Sequence, residues 1–203
     1  CAGLVSPRTH EMLGKPRALN LLRGARVRSA LGTVLEVRAS EPRAIVIDRS
    51  EADKLVAAEA VKAGAKLRLG WQLSSLETKP DRMSIRSIDG RTADARLVVG
   101  ADGAGSAVRR LSGIEPPGEL LPAFECELAC GPEAALSDTV DIWLGREVAP
   151  GFFGWTIPTG SSLRVGLAMC PGDTNARERL DALVSKAGHD GSRVLGTYAG
   201  LLP

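Results

Sequence analysis

Aromatic residues are scarce in this chain, since phenylalanine, tyrosine and tryptophan together make up 3% of its 203 residues. Proteins that bind single-stranded nucleic acid stack bases on exposed aromatic side chains, so this composition argues against that function. The net charge is only +2, and no basic run forms a patch for a phosphate backbone. The sequence also lacks an apolar run of the roughly 20 residues needed to cross a bilayer. With 44% hydrophobic and 25% charged residues, we expect a globular chain without a nucleic-acid partner.

Cysteine and histidine are also rare. The cysteines are Cys1, Cys126, Cys130 and Cys170. These are too few for a disulfide scaffold in a chain of this length, and Cys126 and Cys130 have no second pair that would complete a zinc site. The two histidines, His10 and His189, have no convergent partners. We therefore expect no metal site, and reduced thiols predict a cytoplasmic location.

Strand and helix patterns alternate over residues 1–112, which predicts an α/β fold of mixed α+β character. The predicted strands are residues 33–37, 44–48, 67–69, 73–76, 83–88 and 97–99. Residues 51–63 predict a helix with an apolar stripe that includes Ala52 and Val56. The Asp89-Gly90 pair predicts a hairpin turn that pairs residues 83–88 with the strand at 97–99.

Residues 113–203 show a different pattern, in which short alternating or apolar segments are separated by glycine and proline. The segments 124–129, 139–144, 152–157 and 162–169 predict the strands of an antiparallel sheet. Thr174 predicts the N-cap of a helix near the C-terminus. The apolar residues of that helix are Leu180, Leu183, Val184 and Ala187. We therefore divide the chain into two domains, 1–112 and 113–203.

The most informative stretch is residues 97–110, LVVGADGAGSAVRR. Its first three residues are apolar, which is typical of a strand buried on both faces. A glycine-rich turn follows, and Ser106 can cap a helix that begins near Ala107. This arrangement would present free backbone N–H groups to a phosphate, while Asp102 could accept hydrogen bonds from sugar hydroxyls. An ordinary turn containing an Asp-Gly pair is the simpler alternative.

The string GADGxxSxVRR within this stretch resembles the second FAD fingerprint, or DG motif, of flavoproteins related to aromatic hydroxylases and geranylgeranyl reductases. The resemblance implies FAD as the cofactor. It also implies a partial FAD-binding, Rossmann-like domain in residues 1–112 and an antiparallel substrate domain in residues 113–203. The cofactor-binding residues that it implies here are Gly100, Asp102, Gly103, Ser106 and Arg109.

The same resemblance implies two further FAD contacts. Residues 48–65 are similar to the RxxFDxxL…GA segment of this superfamily, which places Arg49 near the ribityl and pyrophosphate groups. The fork of donors on an arginine suits a diphosphate, although a solvated arginine at a strand end is the simpler explanation. Leu73 occupies the position whose backbone meets the adenine ring. Ala52 replaces the aromatic residue of the family pattern.

Residues 150–158, PGFFGWTIP, predict a strand that packs its aromatic side chains in a core. They are also similar to the substrate-domain signature of geranylgeranyl reductases, (Y/F)xWxFP followed after seven or eight residues by GxG. Here Ile157 replaces the last aromatic residue and Ala168 replaces the final glycine. The resemblance implies a cavity for a polyprenyl chain, and an apolar wall suits one because each buried CH₂ contributes about 0.8 kcal/mol. The implied substrate-binding residues are Phe153, Trp155, Pro158 and Gly166.

The opening residues CAGLVS resemble the CGGLVS stretch of the same family, which implies that Cys1 lies beside the isoalloxazine or the substrate. A small apolar filler is an equally good explanation for this cysteine, and no neighbouring base would activate it. The family's leading GxGxxG unit and its later Gly-Asp-Ala segment are missing from the sequence. We therefore expect an internal fragment of a longer flavoprotein that binds FAD poorly by itself.

Together these resemblances imply an FAD-dependent oxidoreductase that reduces carbon–carbon double bonds of a geranylgeranyl or other isoprenoid substrate, with NAD(P)H or another donor supplying the electrons. An FAD-dependent monooxygenase or halogenase on the same scaffold is the first alternative. A non-enzymatic lipid- or ligand-binding domain is the second. The sequence indicates no catalytic residue, proton donor or oligomeric state, and a hydrophobic substrate leaves peripheral membrane contact open.

Overall fold

The computed structural model describes residues 2–116, 118–173 and 175–203. The chain forms two compact units, which are described separately below. The first unit comprises Cys1–Gly64 and Leu121–Leu202, and the second unit comprises Ala65–Leu120. The predicted division after residue 112 does not coincide with these units, because the N-terminal segment and the C-terminal half share the first one.

Short helices and strands alternate through the described residues. The helices are α1 (Pro7–Met12), α2 (Arg49–Lys62), α3 (Ala107–Leu111), α4 (Pro132–Ala135) and α5 (Ala176–Lys186). The strands are β1 (Leu4–Val5), β2 (Ala18–Leu22), β3 (Gly24–Arg28), β4 (Val34–Arg38), β5 (Ala44–Ile47), β6 (Leu73–Thr78), β7 (Met83–Ser87), β8 (Thr92–Ala95), β9 (Leu121–Leu128), β10 (Thr139–Trp143), β11 (Gly154–Pro158), β12 (Leu163–Ala168) and β13 (Val194–Leu202). The mixed α/β character predicted from the sequence is confirmed.

Among the described residues, seven strands of the first unit form one sheet of order β13-β9-β12-β11-β10-β3-β4. Its pairs are antiparallel except for β10 and β3, which run parallel. The strands predicted for the C-terminal half are confirmed as β9, β10, β11 and β12, and they lie next to one another. The C-terminal strand β13 and the parallel addition of β3 are not part of the predicted sheet. The sheet therefore joins segments from both ends of the chain.

One face of this sheet packs against α5. Alternation along β9 and β12 turns Leu128, Val165 and Leu167 to that face, where they share a core with Leu183 of α5. Each of these four side chains is at most 1% exposed. The predicted C-terminal helix is thus confirmed, and its predicted cap, Thr174, lies outside the described residues.

A three-stranded sheet of order β1-β5-β2 also belongs to the first unit. Its central strand β5 is wholly apolar, and Val46 within it is fully buried. The helix α2 follows at once because the Asp48 carboxylate caps it, accepting a hydrogen bond from the Ser50 N–H at 2.8 Å. The predicted helix is confirmed, but its predicted apolar stripe is buried only at Ala52, whereas Val56 is 46% exposed.

The second unit contains an antiparallel sheet of order β6-β7-β8, with α3 in contact with β6. The Asp89-Gly90 turn is confirmed, but it joins β7 to β8 and not to residues 97–99 as predicted. The strands predicted at residues 67–69 and 97–99 are wrong, and Leu69 and Val99 are 79% and 75% exposed. A strand needs a neighbour for its backbone hydrogen bonds, and neither segment pairs with one in the part of the chain that the structure describes.

Within the described ranges, no helix is both long enough and apolar enough to cross a bilayer. The longest, α2, spans only Arg49–Lys62 and carries charged residues along its length. In the same ranges, no group of three or more histidine, cysteine, aspartate or glutamate side chains is placed to hold a metal ion.

Candidate functional site

The DG loop, residues 100–106, lies in the second unit directly before α3. The carboxylate of Asp102 folds back onto the first turn of this helix. It accepts hydrogen bonds from the Ser106 hydroxyl and from the backbone N–H groups of Ala107 at 2.7 Å and Val108 at 3.3 Å. The DG motif therefore builds a capped helix terminus, as Asp and Ser side chains commonly do.

Ser106 supplies the second half of this cap. Its hydroxyl oxygen accepts a hydrogen bond from the Arg109 N–H at 3.0 Å, which confirms the predicted N-cap position. The expectation that this helix presents free N–H groups to a phosphate is wrong, because Asp102 and Ser106 already occupy the donors of its first turn. A ligand of this loop must therefore meet side chains rather than the bare helix terminus.

The hydrogen bond from Ser106, followed by those from the N–H groups of Val108 and Ala107, holds the pKa of Asp102 below its ordinary value. The carboxylate is therefore ionised at neutral pH. A carboxylate has about four acceptor positions, so the three hydrogen bonds that it accepts leave room for a ligand hydroxyl. The role of Asp102 as an acceptor for a cofactor hydroxyl remains a prediction.

Gly100 and Gly103 of the DG loop are glycines for different structural reasons. A Cβ at Gly100 would lie 2.9 Å from the Cβ of Val108, so glycine is needed there for close packing of the loop on α3. Gly103 has φ of +78°, a conformation that other residues rarely adopt, and nothing lies within 4 Å of a Cβ built on it. The loop is therefore tightly packed on its helix side and open on the Gly103 side.

The Arg109 guanidinium adds positive charge beside this loop. One Nη donates to the Ile114 carbonyl at 3.2 Å, whereas Nε is buried and has no hydrogen-bond partner among the described residues. Buried donors without a partner are rare and indicate that an acceptor belongs there. An ionised carboxylate, an unpaired guanidinium N–H and an open glycine turn suit a ligand with both hydroxyl and phosphate groups, so these residues fit FAD.

The other predicted FAD contacts are divided between the two units. Arg49 is the first residue of α2 in the first unit, and its Nη2 lies 3.0 Å from Asp53 Oδ1 in an exposed pair one helical turn apart. Leu73 begins β6 in the second unit and pairs with Ser87 of β7. The assignments of Arg49 and Leu73 to FAD remain predictions.

An apolar groove of about 430 Å³ opens on the face of the large sheet opposite α5. The predicted residues Phe153 and Trp155 both line it, with their ring centroids 6.3 Å apart in an edge-to-face contact. Phe152 stacks on Phe153 at 4.3 Å. The remaining apolar wall includes Val140, Ile142 and Ile157 from β10 and β11 and Ala2 and Leu4 from the N-terminal segment.

The predicted Gly166 lies under the Trp155 indole. These two residues are register partners on β11 and β12, and a Cβ at Gly166 would come within 2.5 Å of the indole ring. Gly166 in turn pairs with Glu125 on β9. The absence of a side chain at Gly166 lets the indole reach across one strand, so that its Nε1 donates a 2.7 Å hydrogen bond to Glu125 Oε2.

Glu125 is a polar member of the groove lining that the sequence analysis missed. It is only 7% exposed, and burial raises the pKa of its carboxyl, opposed in part by the Trp155 hydrogen bond and by Arg164. The alternation of Phe124-Glu125-Cys126 along β9 was the available signal, because it places Glu125 on the face opposite the α5 core.

The other two predicted substrate residues are placed differently. Pro158 is buried but does not line the groove; it borders a separate cavity with Thr139 and Trp143. Side chains alternate along a strand, and Pro158 is an odd number of residues from Trp155, so the two face opposite sides of β11. Cys1 lies outside the described residues.

Comparison with known proteins places this geometry in a family. Residues 4–192 match the family described as FAD binding domain. The digeranylgeranylglycerophospholipid reductase of Methanocaldococcus jannaschii is 26% identical over 171 residues, which cover 81% of this chain and 44% of that protein. The geranylgeranyl diphosphate reductase of Rhodobacter capsulatus is 26% identical over 202 residues, or 94% of this chain and 50% of that protein. The chain thus spans about half the length of the curated relatives it matches.

Solved structures share the fold. The geranylgeranyl bacteriochlorophyll reductase-like protein of Thermoplasma acidophilum superposes with a TM-score of 0.82 at 21% identity, over 100% of this chain and 56% of that one. The halogenase PltM, crystallised with phloroglucinol and FAD, superposes with a TM-score of 0.70 at 14% identity, over 98% and 46% of the two chains. Because the family match covers most of the chain and includes the DG loop together with Phe153 and Trp155 of the groove, the chain belongs to the FAD binding domain family.

Proposed function

We propose that the chain is part of an FAD-dependent oxidoreductase that reduces carbon–carbon double bonds of a geranylgeranyl or other isoprenoid substrate. The observation that carries this proposal is the apolar groove of the first unit, walled by Phe153 and Trp155. A polyprenyl chain has no hydrogen-bonding groups along its length, so its affinity depends on burial of CH₂ groups at about 0.8 kcal/mol each. The names of the two reductase relatives support the same substrate class.

When bound, FAD would supply the hydride that such a reduction needs. The residues of this chain would bind and orient it: the Asp102 carboxylate would accept a hydrogen bond from a hydroxyl, and the unpaired Nε of Arg109 would donate to a phosphate. We further propose that NAD(P)H reduces the flavin.

A substrate of this class dissolves in membranes, which supports a cytoplasmic protein that contacts the membrane surface peripherally. The exposed residues of the groove rim are consistent with access from one side. Tyr198 and Leu201, both on β13, line the groove and are 56% and 49% exposed.

The proposal is tested on the protein in its natural length. We expect flavin absorbance bands after purification or after reconstitution with FAD. Under anaerobic conditions, NAD(P)H should reduce the flavin, and geranylgeranyl diphosphate should reoxidise it while gaining two hydrogens per reduced double bond in the mass spectrum. A protein that stays colourless after reconstitution would contradict the cofactor assignment. Oxygen consumption stoichiometric with an organic substrate would instead support the monooxygenase alternative.

An Arg109→Gln variant tests the cofactor contact separately, because it keeps an amide donor but removes the charge. We expect weaker FAD affinity with an unchanged melting temperature of the FAD-free protein. The control is Arg177→Gln, since Arg177 lies on α5 in the first unit and its side chain is 82% exposed in a surface ion pair. Equal FAD affinity in both variants would show that Arg109 does not contact FAD.

A further inference from the structure

Glu125 stands out among the titratable residues because it is buried and its side chain lies on the groove side of the large sheet. It borders the apolar groove described above. A second cavity of about 640 Å³ lies between β13, β9 and α5, on the other face of the sheet. The second cavity is bordered by the polar residues Asp181, His189 and Ser192. The Glu125 side chain lies on the groove side of the sheet, because alternation along β9 turns it away from α5.

The position of the Glu125 side chain is fixed by its neighbours. Its Oε2 accepts the Trp155 indole hydrogen bond at 2.7 Å, and that indole itself lines the groove. No hydrogen bond to Oε1 is made within the described residues, so one carboxyl oxygen is held in place and the other is left for a proton. Across the strand pair, Gly166 supplies the space that this geometry needs.

Among the described residues, no basic side chain forms a salt bridge with the Glu125 carboxyl. Glu127, two residues along β9 on the same face, is 3.6 Å from Arg164 and accepts from the Ser162 hydroxyl. Arg164 also donates to the Ala2 carbonyl at 2.8 Å. Tyr198 faces Glu125 from β13 as its register partner. Arg164 is thus engaged by Glu127 and the N-terminal segment, which agrees with the raised pKa of Glu125.

We propose that the Glu125 carboxyl, positioned by the Trp155 indole at the wall of the groove, is the acid that protonates the substrate double bond. This inference rests on the proposed function, and it names the proton donor for that reaction. The Glu125 O–H bond breaks, and a C–H bond forms at one alkene carbon. The other alkene carbon takes a hydride, with its two electrons, from reduced FAD, which is thereby oxidised. The carboxylate then regains a proton from solvent.

A Glu125→Gln variant isolates this role. Glutamine keeps the volume and an oxygen that accepts the Trp155 hydrogen bond, but it has no acidic proton. We expect unchanged FAD binding and unchanged flavin reduction by NAD(P)H, whereas reoxidation of the flavin by geranylgeranyl diphosphate slows by about 100-fold or more, as is usual for loss of a general acid. The matched control is Glu127→Gln, which changes the same residue type on the same strand and face outside the groove.

A second measurement needs neither flavin nor turnover. Infrared difference spectra between the wild-type protein and Glu125→Gln, recorded at neutral pH with a saturated prenyl alcohol in the groove, should show the carbonyl stretch of a protonated carboxyl that the variant lacks. A carboxylate signature at this position would overturn the assignment. Wild-type reoxidation kinetics in Glu125→Gln, or an equal loss in Glu127→Gln, would overturn it as well.

The two proposals fail in different ways. If the wild-type protein does not reduce an isoprenoid although its Glu125 carboxyl is protonated, the proposed function is wrong. The assignment of Glu125 as the proton donor is then wrong as well. If the wild-type protein reduces the isoprenoid and Glu125→Gln does so equally fast, the proposed function stands and only the role of Glu125 is wrong. A rise in KM with unchanged kcat in Glu125→Gln would make it a binding residue and would likewise overturn the assignment.

Discussion

Arg28 donates from Nε to the Asp141 carboxylate at 2.6 Å, across the junction where β3 runs parallel to β10. Arg26 donates to the other oxygen of the same carboxylate at 2.9 Å. The Asp141 side chain is only 9% exposed. This cluster therefore links a strand from the N-terminal segment to one from the C-terminal half, within a unit that is discontinuous in sequence.

Replacing Asp141 by alanine should lower the free energy of unfolding by about 2–3 kcal/mol. This is less than the loss expected for breaking a fully buried ion pair, because the Arg26 and Arg28 side chains keep 34% and 29% of their surface exposed. Urea denaturation measures the change. The control is Asp181→Ala, which removes an exposed pair with Arg177 on α5 and should cost about 0.5 kcal/mol or less. Equal losses would mean that the junction contributes no more than a surface pair.

A side chain at position 166 should displace the Trp155 indole. In Gly166→Ala the new Cβ would lie 2.5 Å from the ring, so the indole must move or the strands must separate. We expect a loss of about 1–3 kcal/mol in stability and a shift in tryptophan fluorescence. Gly200→Ala on β13 is the matched control, since nothing lies within 4 Å of its added Cβ. An unperturbed melting temperature in Gly166→Ala would show that the indole does not occupy this space.

The cap of α3 predicts a local effect in the second unit. Ser106→Ala removes the acceptor of the Arg109 N–H and the hydroxyl that donates to Asp102, so it should destabilise this helix by about 0.5–2 kcal/mol. Hydrogen exchange at the Arg109 amide measures the effect directly. Ser112→Ala, at the other end of the same helix, should leave that exchange unchanged. Equal protection in both variants would contradict the cap.

Local patterns in the sequence predicted much of this structure because their causes are local. Alternation along residues 124–128 and 163–168 decided which side chains face α5, and Ser106 capped its helix as expected. The same alternation places Pro158 and Trp155 on opposite faces of β11, where they line different cavities. Their assignment to one cavity was based on the family signature and did not take the strand geometry into account.

The features that sequence reasoning missed depend on distant partners. The pairing of β3 with β10 joins residues more than a hundred positions apart, and no local signal specifies it. Residues 97–99 are apolar enough for a buried strand, yet apolar character alone does not supply a neighbouring strand. Glu125 was missed for a related reason, since its importance comes from Trp155 reaching it across Gly166.

The buried carboxyl of Glu125 also predicts a pH dependence of stability. Burial raises its pKa in the folded protein, whereas the pKa of a glutamate in the unfolded chain is about 4.3. Between these two values the folded protein binds more protons than the unfolded chain, so the contribution of Glu125 to the free energy of unfolding falls as pH rises. The fall begins near the unfolded pKa and ends above the folded one.

Glu125→Gln removes this titration and should therefore gain stability relative to the wild-type protein as the pH is raised from about 4 towards neutrality. Urea midpoints measured across this range at constant ionic strength give the comparison. Glu127→Gln should not show the same gain, because Glu127 has Arg164 and Ser162 as partners. Parallel pH profiles for the wild-type protein and Glu125→Gln would mean that the carboxyl ionises in the folded state as easily as in water. Such a group would have no proton to deliver at neutral pH, so this equilibrium measurement also tests the catalytic assignment.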